Sequence, residues 1–514
     1  MTKARVTDAA ALGIPEQFNV ATHFIDRHID EGRAAKVAIE CGDVRVTYAQ
    51  LHEGVTRFGS ALRHRLDVRP EERIVVLLPD GPEFFYAFFG AIKAGAVPIP
   101  LNTLWTSADY EFVLNDSRAR VLVTSEDLRQ RIDAIPPARR HGLEDVVVAP
   151  FHDLLAEGDP DFSAVSTSRD EAAFWLYSSG STGKPKGCVH LHHDMVVCAE
   201  LFAKRFLGIC EGDRFFSVAK LFFAYGLGNA GYFPLAVGGT AILWPGRPAP
   251  EHVYAVIERH RPSVLFSVPT GYAMLLAQGG QFDLSSVRLA VSAGEALPRA
   301  VFERFKERYG IEILDGIGST EALHTFIANQ PGRVRPGSSG VLVPGYDARI
   351  LDDAGGPVPT GDLGNLWIAG DSVLAGYWNQ HAKTKQTIEG EWMRTGDKYS
   401  QDADGFFWYA GRADDMLKVG GLWVSPFEVE NALVRHAAVL ECAVVGREDQ
   451  DNLTKPAAFI VLHPEHAGTP ELASALQQFV RTQLAEYKRP RWIAFVSELP
   501  KTATGKIQRF KLRA

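Results

Sequence analysis

The chain has 514 residues, more than one hydrophobic core usually organises, so roughly two to four domains or subdomains are expected. Hydrophobic residues make up 46% of the chain and charged residues 23%, the balance of an ordinary soluble globular protein. The formal net charge of −8 argues against a general binder of nucleic acid or of an anionic membrane.

The first 19 residues lack the apolar run of a signal peptide. The most apolar stretch, residues 84–101, is interrupted by Lys93, Pro98 and Pro100, so it is not expected to cross a membrane. The cysteines show no metal-ligand spacing and are expected to be reduced thiols. They are Cys41, Cys188, Cys198, Cys210 and Cys442. These features predict a cytoplasmic protein.

From Arg73 onward, β-rich segments alternate with helical patterns. The expected strands are residues 74–78, 96–99, 119–124, 287–292 and 312–314, and the expected helices are residues 83–93, 110–115 and 301–309. Thr106 begins the second of these helices as an N-cap. Strands separated by helices of this length require crossover connections, so a parallel α/β sheet is predicted.

Residues 340–410 have a different sequence pattern, in which short β-like segments are separated by Gly, Pro and Asp. This region predicts a small β subdomain resembling a barrel. A further α/β unit of about a hundred residues begins after Asp415. It opens with two short strand candidates joined by Gly420 and Gly421, a strong hairpin signal, and then with Ser425 and Pro426 in the order of a helix N-cap and first turn.

The sharpest local signal is the segment 177–187 (YSSGSTGKPKG), which follows the strand candidate at 172–176 and precedes a helix-like segment at 192–203. Glycines let successive N–H groups converge on an anion, while hydroxyls and lysines add donors and positive charge. The spacing differs from a Walker A loop, because two residues separate Gly180 and Gly183 and Pro185 follows Lys184. The loop predicts a polyphosphate site.

This loop resembles the signature of the adenylate-forming superfamily of acyl- and aryl-CoA synthetases, peptide-synthetase adenylation domains and luciferases. Further motifs of that superfamily follow in order at 292–296 (SAGEA), 315–321 (DGIGSTE), 392–397 (WMRTGD), 411–415 (GRADD) and 499–506 (LPKTATGK). The resemblance spans essentially the whole chain. It implies an enzyme that uses ATP, Mg²⁺ and coenzyme A to convert a carboxylate into an acyl-adenylate and then into a thioester.

The resemblance also implies roles for individual residues. Lys506, Glu321 and Thr320 are the implied catalytic residues. Lys506 is implied to contact the carboxylate and the α-phosphate during adenylation, and Glu321 is implied to hold Mg²⁺, a cation that prefers carboxylate and phosphate oxygens. Asp397 is implied to accept the ribose hydroxyls. The residues implied to bind ATP are Ser178, Ser179, Gly180, Ser181, Thr182, Gly183, Lys184, Lys186, Gly294, Glu295, Ala296, Asp315, Gly316, Ile317, Gly318, Ser319, Thr320, Asp397 and Arg412.

The implied domain organisation is an adenylation domain at 1–411, a hinge at 412–414 and a mobile domain at 415–514 that carries the catalytic lysine. Asp414 is implied to be the pivot of a rotation that exchanges the adenylating arrangement for the thioester-forming one. In the second arrangement the hairpin would approach coenzyme A. The residues implied to bind coenzyme A are Lys418, Gly420 and Gly421.

Residues 220–229, 318–329 and 500–513 closely resemble bacterial benzoate-CoA ligases. Aromatic and small residues alternate at 223–226, which suits a flat slot for an aryl ring. The residues expected to hold the acyl substrate are Phe223, Ala224, Tyr225, Gly226, Ala293, Gly318, His324 and Thr325. Thr325 is a departure, because benzoate ligases tend to carry an aliphatic residue there, and a hydroxyl suits a hydroxy- or amino-substituted benzoate.

Three alternatives stay open. In the first, the substrate is a hydroxy- or aminobenzoate. In the second, the acyl group passes to a carrier protein and not to free coenzyme A. In the third, the protein is an oxidoreductase whose residues 226–231 bind a nicotinamide dinucleotide, because they match GxGxxG and Glu251 follows twenty residues on. The third is the most remote, because Glu251 does not end a second strand candidate. The sequence also leaves a homodimer open.

Overall fold

The computed structural model describes residues 6–178, 185–419, 422–450, 453–501 and 507–513. Several predicted site positions lie outside the described residues, namely Ser179, Gly180, Ser181, Thr182, Gly183, Lys184, Gly420, Gly421 and Lys506.

The strands of the described part, in chain order, are β1 (Val37–Cys41), β2 (Val44–Thr47), β3 (Arg73–Leu77), β4 (Val97–Pro100), β5 (Val121–Ser125), β6 (Asp145–Ala149), β7 (Ala172–Ser178), β8 (Lys186–Leu191), β9 (Arg214–Ser217), β10 (Thr240–Leu243), β11 (Val264–Ser267), β12 (Leu289–Ser292), β13 (Ile313–Gly318), β14 (Thr325–Ala328), β15 (Val341–Leu342), β16 (Asp347–Leu351), β17 (Gly364–Ala369), β18 (Gly376–Tyr377), β19 (Ile388–Glu389), β20 (Trp392–Gln401), β21 (Phe407–Arg412), β22 (Leu417–Val419), β23 (Leu422–Val424), β24 (Val439–Glu448), β25 (Thr454–Leu462) and β26 (Trp492–Phe495).

The helices are α1 (Arg27–Asp30), α2 (Tyr48–His64), α3 (Pro82–Lys93), α4 (Ser107–Ser117), α5 (Glu126–Asp133), α6 (His152–Glu157), α7 (Asp194–Cys198), α8 (Ala224–Gly226), α9 (Phe233–Val237), α10 (Pro250–His260), α11 (Pro269–Ala277), α12 (Arg299–Tyr309), α13 (His381–Thr387), α14 (Pro426–Leu433) and α15 (Pro470–Gln483). Turns of π-helix occupy Thr22–Asp26, Ala199–Phe206 and Leu227–Tyr232, and 3₁₀ turns occupy Pro137–Arg139, Thr320–Ala322, Glu486–Lys488 and Arg509–Leu512. No described helix is long and apolar enough to cross a membrane.

The largest sheet of the described residues runs in the order β15-β14-β13-β12-β11-β9-β10-β1-β2. Its central strands, from β13 to β1, are parallel, and β14 returns antiparallel beside β13. The strands β9–β12 are almost wholly buried, as expected for a parallel sheet covered by helices on both faces. This confirms the predicted α/β class, with strand ends that differ from the prediction by at most four residues.

A second parallel sheet has the order β4-β3-β5-β6, and helix α3 follows its strand β3. Helix α4 begins at its predicted cap, because the Thr106 hydroxyl accepts from Asp109 N and the Asp109 carboxylate accepts from Thr106 N. These two bonds satisfy backbone donors that the first turn of a helix leaves free.

The segment after the phosphate loop forms a strand that the sequence pattern did not predict. Strand β8 pairs antiparallel with β7, and β18 pairs with its other edge. Residues 177–178 of the predicted loop therefore end β7 and residues 186–187 begin β8, and the helix α7 starts only at Asp194. The sequence of β8, KGCVHL, contains a glycine, a lysine and a histidine and has a low intrinsic propensity for strands. Its conformation therefore depends more on pairing with β7 and β18 than on that propensity.

The region 340–412 contains an antiparallel sheet with the order β16-β17-β20-β19, in which β21 also pairs with β20. Beyond it, β22 and β23 form the predicted hairpin, with Leu417 opposite Val424. Ser425 caps α14 as predicted, since its hydroxyl accepts from Glu428 N at 3.1 Å.

The last part of the chain forms the sheet β24-β25-β26 with α14 and α15 packed on it. A partly buried ion pair connects α14 to the 3₁₀ turn at 509–512, because Arg509 Nη2 lies 2.7 Å from Glu430 Oε2 and 3.0 Å from Oε1. Glu430 Oε1 also accepts from Val444 N at 2.7 Å. The turn that follows the lysine motif is therefore anchored to the core of this unit.

The GxGxxG match is wrong as a dinucleotide fingerprint. Residues 226–231 lie inside an unbroken helical run from α8 through the π-helical turn to α9, and Glu251 lies in α10. A dinucleotide-binding glycine loop must join a strand to a helix N-terminus. These glycines serve packing instead, because a Cβ on Gly228 would lie 2.4 Å from His324 Cδ2.

Candidate active site

The predicted site residues of the large sheet lie at the carboxyl ends of neighbouring parallel strands. Ser292 ends β12, and Gly318 ends β13 just before the 3₁₀ turn Thr320–Ala322. Ligands of open α/β sheets bind at this edge. The structure therefore brings the motifs at 292–296 and 315–321 together.

The end of the phosphate loop meets the 3₁₀ turn. Lys186 Nζ lies 3.6 Å from Glu321 Oε1, and Tyr377 Oη donates to the same oxygen at 2.8 Å. Lys186 also lies over the Tyr377 ring, 4.4 Å from its centroid. The Lys186 and Glu321 side chains are 14% and 19% exposed, so each keeps a face open to a ligand. The cluster joins the predicted ATP-binding residue Lys186 and the predicted metal ligand Glu321 to a residue that the sequence did not predict, Tyr377.

The 3₁₀ turn itself is capped and constrained. Ser319 Oγ accepts from Ala322 N at 3.2 Å, and Leu323, directly after the turn, has a φ of 65°. A left-handed conformation is uncommon for leucine and persists only where the surroundings enforce it. The turn therefore presents the side chains of Thr320 and Glu321 from a fixed backbone.

Asp315 and Glu295 lie on the side of the site predicted to hold adenine. Burial raises the pKa of Asp315 to about 8, and its Oδ2 accepts from Leu297 N at 3.3 Å. Glu295 Oε2 accepts from Thr270 Oγ1 at 2.7 Å, and Gly294 has a φ of 91°, which favours glycine. On this side of the site, the raised pKa of Asp315 therefore favours its protonated form, and the positive φ of Gly294 favours glycine at that position.

Asp397 and Arg412 are paired across two antiparallel strands. Arg412 Nη1 lies 3.1 Å from Asp397 Oδ1 and donates to Thr395 O at 2.9 Å. The two residues are directly opposite in the register of β20 and β21. This arrangement fixes the Asp397 carboxylate next to Arg412, the first residue of the predicted hinge.

Two of the predicted acyl residues, Tyr225 and Gly318, lie against a third, the buried His324. The His324 ring packs against the Tyr225 ring at 5.4 Å, and His324 Nε2 lies 3.1 Å from Asn229 Oδ1 and 3.4 Å from Tyr225 O. A carbonyl oxygen can only accept, so Nε2 carries the hydrogen and Nδ1 is an acceptor. Burial lowers the pKa of His324 to about 3, so the ring is neutral at pH 7.

The other residues predicted to hold the acyl substrate differ in their burial and in their contacts with His324. A Cβ on Gly318 would lie 2.4 Å from His324 O, and one on Gly316 would lie 3.1 Å from the Thr325 methyl. Ala224, Ala293 and Thr325 are buried. The Phe223 ring packs on Phe222, whereas Tyr225 packs on His324 and Phe266. The two aromatic rings of the predicted slot thus make separate contacts.

Asp414 and Lys418 lie beyond β21. Arg513 Nη2 donates to Asp414 O at 3.4 Å, and Arg513 also pairs with the Asp415 carboxylate. Lys418 is exposed in the centre of β22. The predicted hinge is therefore contacted by the end of the chain that follows the lysine motif.

Sequence reasoning missed Tyr377 and Asn229. Tyr377 lies 56 residues after Glu321, and no local pattern marks it, because its role depends on the pairing of β18 with β8. Asn229 stands within the quoted segment 220–229, but its contact with His324 spans 95 residues. Both side chains support predicted site residues.

The donor set fits a magnesium ion held jointly by protein and nucleotide. Among the described residues, no group of three or more His, Cys, Asp or Glu side chains could hold a metal by itself. Mg²⁺ in nucleotide enzymes is usually bound by one or two carboxylates together with phosphate oxygens and water. The part-exposed Glu321 carboxylate beside Lys186 suits that arrangement.

Comparison with known proteins gives matches over nearly the full chain. Residues 26–378 match the AMP-binding enzyme family, and residues 428–506 match the AMP-binding enzyme C-terminal domain. A benzoate–CoA ligase from Thauera aromatica is 50% identical, with 98% of this chain and 97% of the relative covered. A 4-hydroxybenzoate–CoA/benzoate–CoA ligase from Rhodopseudomonas palustris is 44% identical, with 96% and 94% covered.

Two solved structures have the same fold. An anthranilate CoA ligase in complex with anthranoyl-AMP gives a TM-score of 0.94 at 44% identity and covers 98% of both chains. A benzoate CoA ligase from Burkholderia xenovorans LB400 gives a TM-score of 0.91 at 46% identity, with 97% of this chain and 100% of that chain covered.

Proposed function

The chain belongs to the family of AMP-binding enzymes, and from that premise we propose that it is an ATP-dependent benzoate–CoA ligase. It joins benzoate to ATP as an acyl-adenylate with release of pyrophosphate, and then transfers the acyl group to coenzyme A with release of AMP. The observation that carries the proposal is the contact between Lys186 at the end of the phosphate loop and Glu321, which lies three residues before the buried His324 in the chain. A polyphosphate site close in the chain to a buried aromatic cluster supports an enzyme that activates an aryl acid with ATP.

In the first step the carboxylate oxygen of benzoate attacks the α-phosphorus of ATP, and pyrophosphate leaves. The phosphate loop and Lys186 bind the phosphates, and Asp397 accepts the ribose hydroxyls at the rim. A magnesium ion, when bound through Glu321, neutralises phosphate charge. Lys506, which lies outside the described residues, places an ammonium against the charge that develops at the phosphorus.

The acyl slot orients an uncharged ring. The neutral His324, the Tyr225 ring and the buried Ala224 and Ala293 exclude water from the aryl group and keep its carboxylate pointing toward the nucleotide. In the second step the thiolate sulfur of coenzyme A attacks the acyl carbon and AMP leaves. We propose that residues 415–514 rotate about the hinge 412–414 between the two steps, so that the β22–β23 hairpin and Lys418 face coenzyme A.

A second candidate substrate class is favoured by two buried groups. His324 Nδ1 is an acceptor with no hydrogen-bond partner within the described ranges, and Thr325 places a buried hydroxyl next to it in the chain. A buried acceptor without a donor costs about 1–3 kcal/mol. A hydroxy- or aminobenzoate would supply an O–H or N–H donor.

The test is a pyrophosphate-release assay over benzoate, its hydroxy, amino and fluoro derivatives, cinnamate and hexanoate, with and without coenzyme A. Benzoate or a small substituted benzoate should give the highest kcat/KM, and thioester should form with free coenzyme A. Faster turnover of hexanoate than of every benzoate would reject the aryl slot. Adenylate without thioester would favour the carrier-loading alternative.

A further inference from the structure

A buried histidine–aspartate pair next to Glu321 has no part in the proposed chemistry. His190 lies on β8, which begins at the end of the phosphate loop, and Asp194 begins α7. Both side chains are 0% exposed, and His190 Nδ1 lies 2.7 Å from Asp194 Oδ2. The Phe174 ring stacks on the imidazole, with centroids 5.3 Å apart and an angle of 20° between the planes. The imidazole is therefore held in one position.

The second nitrogen of this imidazole holds the backbone of the metal-site turn. His190 Nε2 lies 2.8 Å from Thr320 O, and because a carbonyl only accepts, Nε2 is the donor. The next two carbonyls of the turn are also held. Glu321 O accepts from Leu374 N at 2.7 Å, and Ala322 O accepts from Ser372 Oγ at 2.9 Å. Distant parts of the chain thus fix three successive carbonyls.

One face of β8 contacts the turn at two points. Side chains two residues apart on a strand share a face, so Lys186 and His190 point the same way. Lys186 lies against the Glu321 carboxylate, while His190 holds the carbonyl of the residue before it. Strand β8 therefore contacts both the side chain of Glu321 and the backbone carbonyl that precedes this residue.

We infer that His190 is a positioning residue that fixes the Thr320–Ala322 turn, and with it the Glu321 carboxylate, relative to the phosphate loop. The inference rests on the proposed role of Glu321 toward the ATP-bound magnesium ion. Loss of the His190 donor leaves a buried carbonyl with one partner fewer beside Leu323, whose left-handed backbone then has less to enforce it. The turn relaxes and the carboxylate moves away from the phosphates.

Four substitutions separate this role from simple packing. His190→Asn places an amide nitrogen where Nδ1 stood, so it can reach Asp194 but not Thr320 O. His190→Gln extends the amide to the place of Nε2 and keeps a donor for Thr320 O. Asp194→Asn keeps His190 and its bond to Thr320 O. His190→Met fills a similar volume without a donor and repeats the loss if His190→Asn does not fold.

The readout is the affinity for ATP with Mg²⁺ and with EDTA, measured by titration calorimetry without acid or coenzyme A, together with the thermal midpoint. We expect His190→Asn and His190→Met to weaken binding of ATP with Mg²⁺ at least fivefold and to leave metal-free ATP binding within twofold. The His190→Gln and Asp194→Asn variants should stay within threefold of the native protein. The rate of adenylation should follow the same order, with a loss of about 10- to 100-fold in His190→Asn.

The outcomes distinguish this inference from the proposed function. Native protein that binds no ATP would overturn the proposed function and the inference together. Native binding with an unchanged affinity in His190→Asn and His190→Met would overturn the inference alone. Equal losses in His190→Asn and His190→Gln would also overturn it, because a role in packing does not distinguish which nitrogen is replaced.

Discussion

At the scale of single residues, the centre of the site is made neutral by burial. Burial raises the pKa of Asp315 to about 8 and lowers the pKa of His324 to about 3, so both groups are uncharged at pH 7. Among the described residues of the acyl slot none carries a positive charge. The substrate carboxylate therefore needs a cation from elsewhere in the chain, the role proposed for Lys506.

Asp315 gives the protein a predicted pH dependence of stability. Its pKa in the folded state lies above that of an unfolded chain, about 3.9. Between these values the unfolded chain releases the proton and the folded chain keeps it, so this group's contribution falls as pH rises from about 4 to about 8. Asp315→Asn should flatten the change in unfolding free energy between pH 5 and 8.

The measurement is urea denaturation across that pH range. The exposed Asp362→Asn serves as the control and should leave the native pH profile unchanged. An Asp315→Asn profile as steep as that of the native protein would show that another group causes the dependence.

Thr325 is predicted to decide between plain and polar-substituted benzoates. Thr325→Val keeps the shape and removes the hydroxyl, which is buried with the rest of the side chain. A net hydrogen bond contributes about 0.5–1.5 kcal/mol, so kcat/KM for hydroxy- or aminobenzoates should fall about 2- to 12-fold while benzoate is little affected. Thr325→Ser keeps the hydroxyl and should preserve the preference. A uniform loss over all acids would assign Thr325 to packing only.

At the scale of elements, the sequence predicted those features that a local signal specifies. The capping residues Thr106 and Ser425 begin helices as expected, and the alternation after Arg73 forms parallel sheets. Strand β8 was missed because its conformation depends on pairing with β7 and β18. Tyr377 and His190 were missed for the same reason, since their contacts with the 3₁₀ turn span 56 and 130 residues.

The hinge between the two proposed domains carries a prediction at this scale. Asp414→Pro fixes φ at the proposed pivot and should slow thioester formation at least tenfold while adenylation stays within threefold, because only the second step requires the rotated arrangement. Stopped-flow assays of each half-reaction measure the split. Asp414→Ala removes the same side chain without fixing φ and should affect both steps only slightly. An equal loss in both half-reactions of Asp414→Pro would argue against a pivot at this position.

At the scale of the whole molecule, the described parts of the chain contain residues proposed to bind ATP and the acid, whereas the proposed catalytic lysine, Lys506, lies outside them. The large sheet supplies the turn with Glu321, the β7–β8 hairpin supplies Lys186, and the small sheet supplies Asp397. The Glu430–Arg509 pair anchors the segment that follows Lys506 to the terminal unit. Catalysis on this account requires the terminal unit to bring Lys506 to the α-phosphate. The homodimer stays a prediction.

The most direct test of the account is single-turnover formation of benzoyl-adenylate by Lys506→Ala. The rate should fall at least 100-fold, as expected when a group that stabilises transition-state charge is removed, while ATP binding and transfer of supplied benzoyl-adenylate to coenzyme A stay within a few-fold of native. Lys501→Ala, which removes a lysine paired with Glu441 in the same segment, should retain the native rate. Native adenylation by Lys506→Ala, or no adenylation by the unmodified protein, would contradict the account.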